Sequence, residues 1–345
     1  MSSLNEAWLQ KVQEEVIDPA YPIIDPHHHM WLHSTRRNFP YPIAELAKDA
    51  TAGHNILATV FIQCTTMYRE SGPEHLKVVG ETEWVNACAE EHARKHPGGP
   101  ALCAGIVSTV DFRLGAANMD EALTAHIAAA PGRFRGIRQS GTWSDDAEIN
   151  QGRVIPQRHL YMDPTFRRGF ARLAHHGISF DAWVFHDQLS ELIDLARAFP
   201  DIPMVLDHLG APLGQGRWAS QRDTVFQDWK QSITELARCP NVWLKLGGSV
   251  MPMFGFHWER RPLPPSSDEL VKAAGHFFHA AIDAFSPARC MFESNFPVDK
   301  IACAYVPLWN SFKKMAARYT EAERADLFRN TAKRFYRLDS VAVPG

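Results

Sequence analysis

Near its amino terminus the chain reads Ile24-Asp25-Pro26-His27-His28-His29-Met30-Trp31, a cluster of imidazoles directly after a short apolar run. Alternation along an extended backbone puts His27 and His29 on one side and His28 on the other. Two imidazoles so placed can bind one divalent ion, or can offer a substrate one acid/base and one hydrogen-bond donor. The bland alternative is a histidine-rich surface turn that Asp25 orients.

A second histidine, His208, closes the run Met204-Val205-Leu206-Asp207-His208, and Gly210 just after it permits a sharp turn. Arg138 ends Phe134-Arg135-Gly136-Ile137-Arg138, where a guanidinium can grip a carboxylate through two hydrogen bonds or join a structural ion pair. Asp181 points inward if Phe180 points outward. Gln63 and Lys245 are further inward-facing polar candidates for substrate contact, each of which could equally serve as a buried partner for a neighbour. Trp143, with Tyr68 and Arg69, falls in segments expected to line the mouth of a site. Thr82, in Gly80-Glu81-Thr82-Glu83-Trp84, reads as a cap for the helix that follows.

The elements that must position these residues alternate in type. Short runs rich in β-branched and apolar residues recur at 22–25, 58–63, 104–107, 134–138, 178–184, 204–208, 242–246 and 290–294. Helical periodicity lies between them, at 83–95, 118–130, 164–176, 189–198, 224–237 and 267–284, with a last helix at 321–336. Eight such strands with covering helices give an α/β fold, a (β/α)8 TIM barrel, although a doubly wound open sheet shows the same alternation. The expected organisation is one domain over 1–345 with a barrel core at about 22–338. The Gly/Pro-rich segments 142–162 and 247–265 read as long βα loops that shape or cover a pocket.

Composition excludes several function classes. The 345 residues are 45% hydrophobic and 22% charged with a net charge of −3, so there is no basic stripe for nucleic acid or anionic lipid. No apolar run approaches membrane-spanning length, and the first residues lack a signal-peptide core, which points to the cytoplasm. Six scattered cysteines without a CxxC pair read as free thiols. No dinucleotide, phosphate-loop or nucleophile-elbow motif occurs. A small molecule is the expected partner, and a homo-oligomer is compatible with this composition.

The three motifs Asp25-Pro26-His27-His28-His29, Asp207-His208-Leu209-Gly210-Ala211-Pro212 and Phe292-Glu293-Ser294-Asn295-Phe296-Pro297, in this order, resemble the amidohydrolase superfamily. More narrowly they look like its amidohydrolase-2 branch, which includes sugar-acid lactonases and pyrone-dicarboxylate lactone hydrolases. The resemblance implies His208 as a metal ligand or substrate contact beside His27 and His29, where a core histidine is the alternative. It makes His186 the nearest candidate to complete the ligand set, where a loop histidine is the alternative. It also implies that Arg138 faces the substrate. Relatives carry an aspartate that deprotonates water where this chain has Asn295, and an amide cannot accept that proton near neutral pH. The base role then falls to a histidine (His29 or His208) or to Glu293, expected to share a strand face with Asn295, and next to Asp299; loss of hydrolysis is the remaining account.

The resulting expectation is an amidohydrolase-like hydrolase, of lactonase type, acting on a carboxylate-bearing lactone or cyclic ester. Water would be activated by a divalent metal, zinc first, or directly by a side chain. Metal-dependent decarboxylation of an aromatic or enoic acid is the alternative, and a non-catalytic binding barrel the third.

Overall fold

The computed structural model describes residues 4–34, 37–150 and 156–342. Eight strands follow one another in chain order around one sheet: β1 (Pro22–His28), β2 (Asn55–Ile62), β3 (Ala101–Ser108), β4 (Phe134–Arg138), β5 (Ser179–Ala182), β6 (Met204–Leu206), β7 (Val242–Leu246) and β8 (Cys290–Phe292). Each pairs in parallel with the next, as the intervening helices require. The segment after β8 closes the circle on β1, where Asn295 N–H donates to His27 O at 2.9 Å and His29 N–H to Phe296 O at 2.7 Å. The fold is thus the (β/α)8 barrel expected from the alternation.

Apolar side chains fill the barrel interior. Ile24, Val60, Val107, Val205 and Met291 pack there against Phe335, Tyr336 and Leu338, so the chain's last helical segment plugs the floor. Burying each such residue contributes roughly 1.5–3 kcal/mol. With the lower barrel filled, polar chemistry is confined to the carboxyl ends of the strands.

One irregularity in β1 decides which histidines face inward. Asp25 pairs with Thr59 and His28 with Phe61, three steps on β1 against two on β2, a bulge at Pro26-His27. Ile24 lies in the interior cluster, so unbroken alternation would have turned His28 inward. The extra residue reverses that and sends His27 and His29 into the barrel.

Several boundaries differ from the sequence expectation. Strands β5, β6 and β8 stop at Ala182, Leu206 and Phe292, because the chain turns to aim side chains across the mouth. The helix expected at 164–176 is two, Pro164–Phe170 and Arg172–His176, and that at 321–336 is interrupted by a π turn at Asp326–Asn330. Helices Ile43–Ala50 and Tyr305–Ala316 were not expected. Thr82 is not a cap: its helix begins at Val79, and its buried hydroxyl lies 2.5 Å from Ser108 Oγ and 2.7 Å from His126 Nδ1. Part of the expected 142–162 loop, residues 151–155, lies outside the described residues. Among the described residues no helix is long and apolar enough to cross a membrane.

Candidate active site

At the end of β1, His29 donates Nδ1–H to the carbonyl of Ile62 at 2.8 Å. Burial, with the charge of Arg138 nearby, holds the His29 pKa well below the usual imidazole value, so the ring is neutral. Its Nε2 therefore carries a lone pair, and that lone pair faces His27 Nε2 at 3.3 Å. With His27 Nδ1 turned to Glu293, its Nε2 also offers a lone pair, and a shared cation would satisfy the two. His28, turned outward, meets Thr59 Oγ1 at 2.9 Å, and burial pushes its pKa down to about 3. Asp25 also points outward, accepting Ser294 N–H and the Tyr305 hydroxyl, each at 3.0 Å. It ties β1 to the segment after β8.

Beyond β6 the backbone enters a left-handed turn, with φ of 55° at His208, 56° at Leu209 and 36° at Ala211. Non-glycine residues in this region cost on the order of 1–3 kcal/mol each, and they persist where the surroundings over-determine them. Glu293 does so here: its Oε1 accepts both the backbone N–H of His208 at 3.1 Å and its Nδ1–H at 2.6 Å. Its Oε2 lies 2.8 Å from His27 Nδ1. Burial opposes the Glu293 charge, but the adjacent His208 and His27 outweigh it and hold the carboxyl far below the ordinary range. The glycines after β7 allow this approach: a Cβ on Gly247 would stand 2.3 Å from Glu293 Cγ, and one on Gly248 would stand 2.8 Å from the His208 ring. The His208 ring packs 4.5 Å from His27 and 4.6 Å from Trp183.

Beneath the histidines lies a buried ion cluster. Lys245 Nζ is 2.7 Å from Asp181 Oδ2, 3.0 Å from Asp207 Oδ1 and 3.0 Å from His27 Nδ1. From the floor, Tyr336 donates its hydroxyl to Asp181 Oδ2 at 2.6 Å. Burial alone would lower the lysine pKa, yet Asp181 and Asp207 hold it above its usual value. Burial raises Asp181 to about 6, whereas Lys245, His208 and Arg138 overcome burial at Asp207 and lower it. Asp181 and Lys245 were expected to touch substrate; both are fully buried and engaged with each other, one layer below the mouth.

Arg138 sits at the rim. Its Nη2 donates to the carbonyl of Gln63 at 2.5 Å and to Gln63 Oε1 at 2.7 Å, while Nη1 lies 3.5 Å from both Asp207 Oδ2 and His27 Nε2. Gln63 thus holds the guanidinium against the histidine pair. Trp143 is half-buried in the loop after β4, its N–H on Gln188 Oε1 and its ring under the Arg158 guanidinium. Trp183 joins Ile149, Leu213, Met251 and Phe254 in an apolar cluster drawn from four βα loops.

Two expectations change in the structure. His186 is not brought to the histidine group: Leu213 N–H donates to its Nδ1 at 3.4 Å and its ring packs on Trp218. Because β5 ends at Ala182, Trp183 takes the place facing His208. Glu293 and Asn295 do not share a face either, since β8 ends at Phe292 and Asn295 has φ of 54°. Asn295 Nδ2 instead donates to Asp299 Oδ1 at 2.7 Å. Burial raises the Asp299 pKa well above the carboxylate range, and its Oδ2 has no hydrogen-bond partner among the described residues.

The donor set fits a divalent ion. His27, His208 and Glu293 each offer one ligand atom, all within 4.8 Å of one another. The 3.3 Å between the Nε2 atoms of His27 and His29 also matches the edge of a tetrahedron with metal–nitrogen bonds of about 2.0–2.1 Å. Mixed imidazole and carboxylate donors suit zinc.

Sequence reasoning passed over Trp183, Tyr336 and the pair Gly247-Gly248. Two adjacent glycines directly after a strand were the available signal, since they mark close approach of other groups to the backbone.

A sequence model of a family described as Amidohydrolase matches residues 24–338. An uncharacterized protein, y4mH, of Sinorhizobium fredii is 30% identical over 92% of this chain and 98% of its own length. An L-fucono-1,5-lactonase of Burkholderia multivorans is 32% identical over 61% of this chain and 65% of its own. Among solved structures, an amidohydrolase from Burkholderia multivorans with bound zinc is 25% identical with a TM-score of 0.67, covering 92% of this chain and 99% of that one.

Proposed function

The chain belongs to the amidohydrolase family, and from that premise we propose that its barrel mouth hydrolyses a small lactone or cyclic ester bearing a carboxylate. The observation that carries this reading is the 3.5 Å between Arg138 Nη1 and His27 Nε2. A substrate carboxylate held by that guanidinium has its ring carbonyl within reach of the histidines. The lactonase relative supports the same class of bond.

The protein's own groups divide the work. Gln63 and Asp207 aim Arg138, which binds the carboxylate. Glu293, committed to His208 and His27, orients those rings and is too acidic to serve as base. Asp299, in its ionised form, takes the proton: Asn295 fixes one of its oxygens, and the other has no hydrogen-bond partner among the described residues. Water oxygen bonds to the carbonyl carbon as Asp299 accepts its proton. The ring C–O bond then breaks, the proton passes to the leaving oxygen, and a hydroxy acid is released. His27, His208 and Glu293, with His29 beside His27, would hold a divalent ion, which supplies Lewis-acid polarisation of the carbonyl when bound. A small molecule is the partner, and the six cysteines, all free, suit a cytoplasmic setting.

The test is a panel of aldonolactones and carboxylate-bearing lactones, read by proton release, beside aromatic and enoic acids read by carbon dioxide release. Each is run on protein stripped by chelation and on protein reloaded with zinc. Lactone turnover is the expected result. Carbon dioxide release without lactone turnover would replace the reading by a decarboxylase.

A further inference from the structure

We infer that Glu81, in the first turn of the helix Val79–Lys95, is a positioning residue for the Arg138 carboxylate clamp. This rests on the lactone reading above. Glu81 is fully buried outside the barrel wall, and its Oε1 accepts the backbone N–H groups of Cys64 at 3.0 Å and Thr66 at 2.9 Å. Cys64 directly follows, and Thr66 lies three residues after, Gln63, whose carbonyl and side-chain oxygen both hold Arg138 Nη2. The loop between them does not hold this shape by itself. Thr65 and Met67 have φ of 66° and 52°, left-handed values that L residues resist. A single carboxylate oxygen bridging the amides on both sides of Thr65 pins that turn.

Two further contacts show that the helix and loop are fitted to each other. A Cβ on Gly80 would fall 2.5 Å from Met67 O and 2.6 Å from Arg69 N, so the first helical turn lies directly on loop backbone. On its other side the loop reaches the segment just after β1, with Cys64 Sγ–H on Met30 O at 3.1 Å. The path from Glu81 to the substrate therefore runs through the turn at Thr65 to Gln63 and then to Arg138. Burial raises the Glu81 pKa to about 7, and its Oε2 has no hydrogen-bond partner among the described residues. A neutral amide that keeps the accepting oxygen is thus an apt replacement.

The test compares Glu81→Ala, Glu81→Asp, Glu81→Gln and Arg138→Met, using the best lactone of the panel and thermal unfolding as the check on folding. Aspartate is one methylene too short to reach both amides. Glu81→Ala and Glu81→Asp are expected to raise KM about tenfold with kcat changed less than about threefold, and Glu81→Gln to bring KM back toward the starting value. A folded Glu81→Asp with unchanged KM overturns the inference, as does a fall in kcat at constant KM. If Arg138→Met raises KM while the Glu81 variants do not, the positioning role alone fails. If Arg138→Met leaves KM unchanged, the carboxylate clamp and the role of Glu81 fall together.

Discussion

One oxygen of Glu293 accepts two hydrogen bonds from His208, one from its backbone and one from its ring. The same carboxylate therefore holds both a left-handed turn and the orientation of an imidazole. Glu293→Ala removes both anchors, while Glu293→Gln keeps the shape and loses the charge. Each is expected to lower kcat/KM about 10–100-fold, as loss of a group that orients a ligand histidine does, with zinc retention falling in parallel. Steady-state kinetics beside elemental analysis of dialysed protein check this.

The inward histidines and His186 are expected to separate in the same assay. His27→Ala, His29→Ala and His208→Ala should each cost about 10²–10⁴ in kcat/KM. His186→Ala, whose ring packs on Trp218 outside the histidine group, should stay within a few-fold. Equal losses at His27 and His186 would mean that the two act together.

Lys245→Met leaves Asp181 and Asp207 buried without their shared cation. The expected destabilisation is about 3–5 kcal/mol, the usual result of removing one side of a buried ion pair. Urea denaturation midpoints at neutral pH measure it.

Buried neutral imidazoles set an acid limit on stability. Burial lowers the folded pKa of His54, His126 and His186 to about 4 and that of His28 to about 3, against 6.5 when unfolded. The stability they contribute is fully present above 6.5 and is lost as pH falls through the folded values, because the unfolded chain then binds more protons. Asp25 and Asp181, raised to about 6, and Glu81, raised to about 7, act in the opposite sense, adding stability as pH falls through those values. His27 and His29, also held well below the imidazole value, and Glu293, held below the carboxylate range, act with these histidines against Asp299 on the other side, and together they set the net direction. Denaturant midpoints should therefore decline from pH 6.5 toward 4, and a flat profile would contradict this assignment.

Asp299→Asn is expected to reduce turnover by about 10²–10⁴ with little change in stability. Asn295→Asp alone would set two carboxyls at the present 2.7 Å contact, where like charges resist joint ionisation. The double variant Asn295→Asp/Asp299→Asn moves the carboxylate to position 295, where the motif resemblance expects the base, and should recover part of the loss. Full activity in Asp299→Asn would remove it from the mechanism.

Much of this was legible in the residues. Strand–helix alternation gave the barrel, and His27, His29, His208, Arg138 and Glu293 all meet at one end of it because strand termini in a parallel barrel converge there. Asp181 and Lys245 were legible as inward-facing but not as each other's partners, since one pairs across the barrel with the other from a strand two places away. His186 was the histidine nearest the strand-five position at which the resemblance implied a ligand, and a strand that ends early shifts every side chain after it.

The sequence by itself determined local matters: which segments extend, which coil, and which side chains carry donors and charge. Those depend on neighbours a few residues apart. Tertiary structure alone decided that His27 rather than His28 turns inward, because a bulge is a mismatch between two strands and exists in neither alone. It likewise decided that Glu293 serves the histidines while Asn295 serves Asp299, since which acceptor meets which donor is settled only when eight strand ends close on one another.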